Sequence, residues 1–201
     1  MTAALPAVPS PAPRRQVLVA TVVASSALLV LMGGMLSLWL KFRAAAPVRE
    51  SSDGLYMIKD WLPKSIKIPE VAANTMLSGF AFVVLMAQWA VYAGKRRDST
   101  HRSLALITTF LVGLAIVNAQ VAVWLKMDVG LADGAYQSMF YAVTGTMLAL
   151  ILSGIAFTVV AFFRSAGGRA DDQQVLTAHA MYWYFLTAAF TAMWFVVYVQ
   201  K

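Results

Sequence analysis

Gln137–Phe163 reads QSMFYAVTGTMLALILSGIAFTVVAFF, an unbroken apolar run without a charged residue. A bilayer core about 30 Å thick is crossed by roughly 20 apolar residues in a helix. Backbone groups in lipid must be hydrogen-bonded within their own segment, so the run predicts a transmembrane helix. Four further stretches share its character: Gln16–Leu40, Ala72–Ala93, Ser103–Leu125 and Thr177–Val199. The fold class that follows is all-α, a polytopic membrane protein with a five-transmembrane-helix bundle over residues 16–201. Residues 1–15 are rich in Pro and Ala and are expected to form a disordered tail. Ionisable side chains within a membrane mark proton and ion pathways. Their absence from the span interiors argues against a pump, a channel or a catalyst in this chain alone.

The composition agrees. The chain is 60% hydrophobic and 12% charged, with a mean hydropathy of +0.70. One bundle uses up the 201 residues and leaves no room for a soluble domain. A net charge of +7 would point to nucleic acid in a soluble protein. Here the basic residues flank membrane spans, where topology and anionic lipid account for them, and no nucleic-acid partner is expected. With no cysteine there is no disulfide and no thiolate metal site. Arg14-Arg15 before a long apolar run resembles a signal peptide, but a signal h-region is only about 7–15 residues long, and this stretch is read as the first span.

The short loop Lys95-Arg96-Arg97-Asp98, with His101-Arg102 following, carries the strongest cytoplasmic signal. Arg14-Arg15 agree with it, so the N-terminus is expected inside and the C-terminus outside. The long loop Phe42–Glu70 is also basic, through Arg43, Arg49, Lys59, Lys64 and Lys67. It carries Tyr56, Trp61 and Pro63 and is expected to lie on the membrane surface. Small residues recur four apart, as in Ala20 and Ala24, Ala115 and Ala119, and Gly145, Ala149 and Ser153, a spacing that lets helix backbones approach closely.

Few residues could carry chemistry. There are two histidines, His101 and His179, each at the start of a span on the same side. Together they could ligate a haem iron in a small b-type cytochrome, or be one loop and one interface residue. The intramembrane polar set is Ser25, Ser26, Asn74, Gln88, Asn118, Gln120, Thr144, Thr146, Thr187 and Thr191. Hydrogen bonding between helices explains it better than substrate binding. The 11 methionines are scattered over every span, as packing residues are.

The order of motifs adds to this. Gly113 and Gln120 stand in the third span, and the fourth runs Asp133-Gly134, Tyr136, Ser138, Phe140, Thr144-Gly145 and Gly154. Pro69, Asn74-Thr75 and Leu77-Ser78 open the second, and Tyr182-Trp183-Tyr184-Phe185, then Trp194 and Tyr198, fill the last. Over about residues 16–200 this order resembles subunit III of haem–copper terminal oxidases, in the five-helix form common in bacteria. The resemblance implies a non-catalytic, stabilising subunit of a respiratory terminal oxidase of the cytochrome c or quinol type. Its location would be a bacterial cytoplasmic membrane. Haem and copper would belong to the partner catalytic subunit, subunit I, with no cofactor in this chain, and membrane lipids would be further partners. Gln120, Thr144, Gly145, Gly154, Trp183 and Tyr184 would serve helix and subunit packing. An alternative is an accessory subunit of similar type in a nitric oxide reductase or another respiratory complex.

The chain also departs from that pattern. Family acids or histidines are replaced by Ala27 after Ser26, Val123, Met147, Leu150, Thr177, Tyr184 and Thr187. A divergent version is expected, without ionisable groups of its own for proton uptake.

Overall fold

The computed structural model describes residues 15–200 except 52, 64–65, 129, 132 and 168–172. The expected disordered tail thus lies outside the described residues, apart from Arg15. Five long helices are present: α1 (Gln16–Ala45), α2 (Glu70–Lys95), α3 (Ser99–Met127), α4 (Ala135–Ala166) and α5 (Gln173–Met193), the last continuing as a π-helical turn, Trp194–Val199. Each is long and apolar enough to cross a membrane, so the chain is a multi-pass membrane protein.

The helix ends follow local chemistry. The chain turns extended at Ala46, just before Pro47, and α1 stops there. The side chain of Asp98 accepts the backbone N–H of His101 at 3.0 Å and caps α3. At its far end α3 closes on Asp128 in the left-handed conformation, φ 44°. Within the helices, Ser26, Thr146, Thr187 and Thr191 each return a hydroxyl to the carbonyl four residues back. That contact satisfies them in lipid without a neighbour.

Helices α2 to α5 form a ring in which α2 packs on α3 and α5, and α4 on α3 and α5. α1 leans from outside on α5 and α4 and is the least covered of the five. It buries Ser25, Met32, Leu36 and Trp39 and leaves a broad apolar face for lipid. Phe80 on α2 stacks on Phe190 on α5, with ring centroids 4.5 Å apart.

The loop between α1 and α2 differs from the expected surface strip. Val48–Glu50 (β1) and Met57–Lys59 (β2) pair antiparallel, with Arg49 opposite Ile58. The Arg49 guanidinium bonds the Asp60 carboxylate at 2.7 Å. Trp61, expected at the lipid surface, is buried edge-on between Trp39 of α1 and Tyr136 of α4, at 5.2 and 5.6 Å. The three rings meet edge to face, the arrangement aromatic pairs prefer. Tyr56 stays exposed. The hairpin therefore closes one end of the bundle, where α1, α3 and α5 end and α2 and α4 begin. At the other end the loop between α2 and α3 is shorter than expected. Arg102 falls on the first turn of α3 and is buried with a partner.

Replacing Trp61 with Ala should lower the stability of the detergent-solubilised chain by about 3 kcal/mol, the usual cost of truncating a buried large aromatic. Thermal unfolding monitored by circular dichroism reads this directly. An unchanged midpoint would show that the hairpin does not bear on the bundle.

Candidate functional site

The strongest concentration of buried, specifically bonded side chains lies where α3, α4 and α5 meet around Trp183. This indole is fully buried. It fits between two helices because each presents a glycine to it. A Cβ built on Gly113 of α3 would lie 3.4 Å from the Trp183 ring and 3.0 Å from Ile155. One on Gly154 of α4 would lie 3.3 Å from the same ring, 3.2 Å from Tyr182 and 2.9 Å from Leu186. A bulky side chain at Gly154 would meet Leu186, Tyr182 and Trp183 of α5, and one at Gly113 would meet Ile155 of α4 first.

The polar edge of the indole is equally committed. Its N–H reaches Thr158 Oγ1 at 3.1 Å and His179 Nε2 at 3.0 Å, and those two atoms are 2.8 Å apart. The Thr158 hydroxyl also lies 2.9 Å from the Gly154 carbonyl. The indole N–H is shared between the Thr158 hydroxyl and His179 Nε2, and the contact between Thr158 and His179 locks α5 to α4.

His101 has different surroundings. It is exposed, its Nδ1 lies 2.6 Å from Asp98 Oδ2, and its ring tilts over Trp89. The two histidines, which the sequence allows to meet, thus serve separate purposes. Among the described residues no three His, Cys, Asp or Glu side chains are grouped to hold a metal ion. The Asp98 carboxyl is held below the ordinary aspartate range, first by the His101 backbone N–H and then by the His101 ring.

The six packing residues singled out in the sequence do not form one site. Gly154 and Trp183 belong to the centre just described. Thr144 of α4 is buried and accepts the Trp124 indole N–H of α3 at 3.0 Å. Tyr184, in place of a family histidine, donates to Gln88 Oε1 of α2. Gln120 is buried toward the hairpin end. Gly145 stands apart, because nothing lies within 4 Å of a Cβ built on it. It clears no helix of its own chain and faces outward beside Ala149. Asn74 completes the interhelical set by accepting the Trp194 N–H at 3.0 Å. Thr158 was not singled out by sequence, since a hydroxyl in an apolar run gives no sign of which helix it faces.

Two sets of variants test this geometry. Gly154→Leu should cost about 3 kcal/mol through overpacking. Thr158→Val, which removes only hydrogen bonds, should cost about 1 kcal/mol, and Gly145→Leu should leave the isolated chain unchanged. Equal costs for Gly154→Leu and Gly145→Leu in a detergent unfolding series would contradict the wedge. The second set concerns pH. A depressed carboxyl stabilises the fold above the ordinary aspartate pKa of 3.8 and loses that contribution as pH falls through its lower folded value. Asp98→Ala should therefore be less stable than the parent at neutral pH, and the gap should close in strong acid. A gap independent of pH would count against the cap.

The family model described as cytochrome c oxidase subunit III matches residues 58–201. The probable cytochrome c oxidase subunit 3 of Rickettsia conorii is 26% identical over 159 residues, covering 73% of this chain and 55% of that protein. The corresponding protein of Rickettsia felis is also 26% identical over 159 residues, covering 73% and 56%. Cytochrome c oxidase subunit 3 of Bos taurus is 25% identical over 137 residues, covering 67% of this chain and 49% of that protein. The chain thus spans about half the length of the curated relatives it matches.

Proposed function

The chain belongs to the cytochrome c oxidase subunit III family, and from that membership we propose that it is a non-catalytic, stabilising subunit of a haem–copper terminal oxidase. Haem and copper are held by a partner catalytic subunit, and oxygen reduction belongs to the complex. The observation that carries this reading is the family match over residues 58–201, which takes in all of α2 to α5. The chemistry of the chain supports it. The spans carry neutral hydrogen bonds and close-packed glycines, with no acid placed for proton transfer inside them.

The same proposal includes a bacterial cytoplasmic membrane and an N-terminus on the cytoplasmic side. Lys95, Arg96 and Arg97 between α2 and α3 support that orientation by the positive-inside rule. Outward-facing Gly145 and Ala149 on α4, with the exposed amide of Asn118 on α3, are the residues we assign to contact with other subunits. A small-residue strip suits close helix approach, and an amide at membrane depth is better satisfied by protein than by lipid.

Affinity capture of the tagged chain from native membranes in mild detergent tests the reading. A haem-bearing oxidase subunit should co-elute, with its bands in the visible spectrum. Co-elution with a nitric oxide reductase would transfer the role to that complex, as the missing family acids would allow. Elution with non-respiratory partners would overturn it.

A further inference from the structure

On α3, Ile107, Leu111, Leu114, Asn118, Val121 and Leu125 are all exposed and follow one another three or four residues apart. That is the spacing of a seam along a helix that packs on one neighbour. Between Ile107 and Leu125 the only other exposed residue is Ala115. The seam is about 27 Å long at 1.5 Å per residue, most of a hydrocarbon core about 30 Å thick. The helices of this chain that pack on α3, α2 and α4, leave it uncovered.

An apolar stripe facing lipid needs no partner, but the amide within it does. Asn118 lies about 6 Å along the helix from the middle of the apolar stretch Ser103–Leu125. No water reaches that depth to satisfy it. The exposed amides of α2 are bonded across helices, Asn74 to Trp194 and Gln88 to Tyr184. The Asn118 side chain has no hydrogen bond among the described residues. Ala115 and Ala122 stand one turn to either side of it on the same helix face. Side chains so small let a second backbone come close enough for the amide to be reached.

We propose that the seam of α3 packs on α3 of a second copy of this chain, with Asn118 hydrogen-bonded to the partner's Asn118. Two copies inserted under the same charge rule share one orientation in the membrane, so equal residues lie at equal depth. A two-fold axis along the membrane normal then brings the seam onto itself. A side-chain amide donates through its N–H and accepts through its oxygen, and is its own complement. Any other neighbour would need a polar side chain at this one depth, whereas a second copy always has it. A single amide in an apolar seam also fixes the register of the two helices. Beside Ile107 a groove of about 220 Å³, walled by Phe110 and Phe162, has room for a side chain from the neighbour. The inference rests on reading Asn118 as a contact residue and names the chain it meets, whichever complex that chain belongs to.

The chain has no cysteine, so single cysteines report the contact directly. Leu111→Cys, Leu114→Cys and Val121→Cys are each made in the full chain and oxidised mildly in native membranes. All three should form a disulfide-linked dimer several-fold faster than Leu85→Cys, at an exposed position on α2. Adding Asn118→Leu to Leu114→Cys should slow that dimer several-fold and leave the circular dichroism of the chain unchanged. No dimer at the seam, dimers at Leu85→Cys as fast as at the seam, or a rate indifferent to Asn118→Leu would each overturn the proposal. A chain that stays monomeric yet still captures a haem-bearing subunit would remove the second copy and leave the oxidase reading standing.

Discussion

The insertion of Trp183 between Gly113 and Gly154 is the contact on which the bundle depends. Lipid tails are as apolar as leucine, so burying apolar surface between helices gains little over leaving it in the bilayer. Helices in a membrane are held by fit. Fit is concentrated where one large flat ring meets two residues that have no side chain, and where the polar edge of that ring is shared by Thr158 and His179. The ring of α2 to α5 closes around this point, and α1 and the hairpin are then added from outside.

Polar side chains follow the same economy. Where the family resemblance leads one to expect acids or histidines, this chain has apolar or neutral residues, and the structure gives them ordinary duties. Val123 and Met147 are fully buried in the core. Thr177 and Thr187 bond the carbonyls of their own helix, and Tyr184 ties α5 to α2 through Gln88. A buried charge would have needed a partner on a neighbouring helix. Neutral groups at these positions carry no such requirement.

Much of this was legible in the sequence, and the boundary of legibility is physical. Span Gln137–Phe163 was read from apolar length alone and became Ala135–Ala166, because lipid allows only one satisfied backbone form. The three-residue strands Val48–Glu50 and Met57–Lys59 leave no signal in the sequence, since so short a segment shows no alternation. In the sequence Trp61 reads as a lipid-surface residue, because its neighbours Trp39 and Tyr136 lie far off in the chain. Small-residue spacing drew attention to Gly145, yet the helices of this chain close on Gly113 and Gly154. Spacing fixes which residues share a helix face. The rotation of that face toward a neighbour is set by the whole bundle.

That rotation leaves Gly145 and Ala149 facing away from the chain's own helices, and their partner is the central functional claim. The most direct measurement is site-specific photocrosslinking in native membranes, with a photoreactive residue at 145 and, as a control, at the buried position 116 on α3. The expected result is a covalent adduct between position 145 and a haem-bearing oxidase subunit, with adducts from position 116 confined to this chain. Adducts from position 145 to lipid alone would contradict the assignment of that face to a catalytic partner.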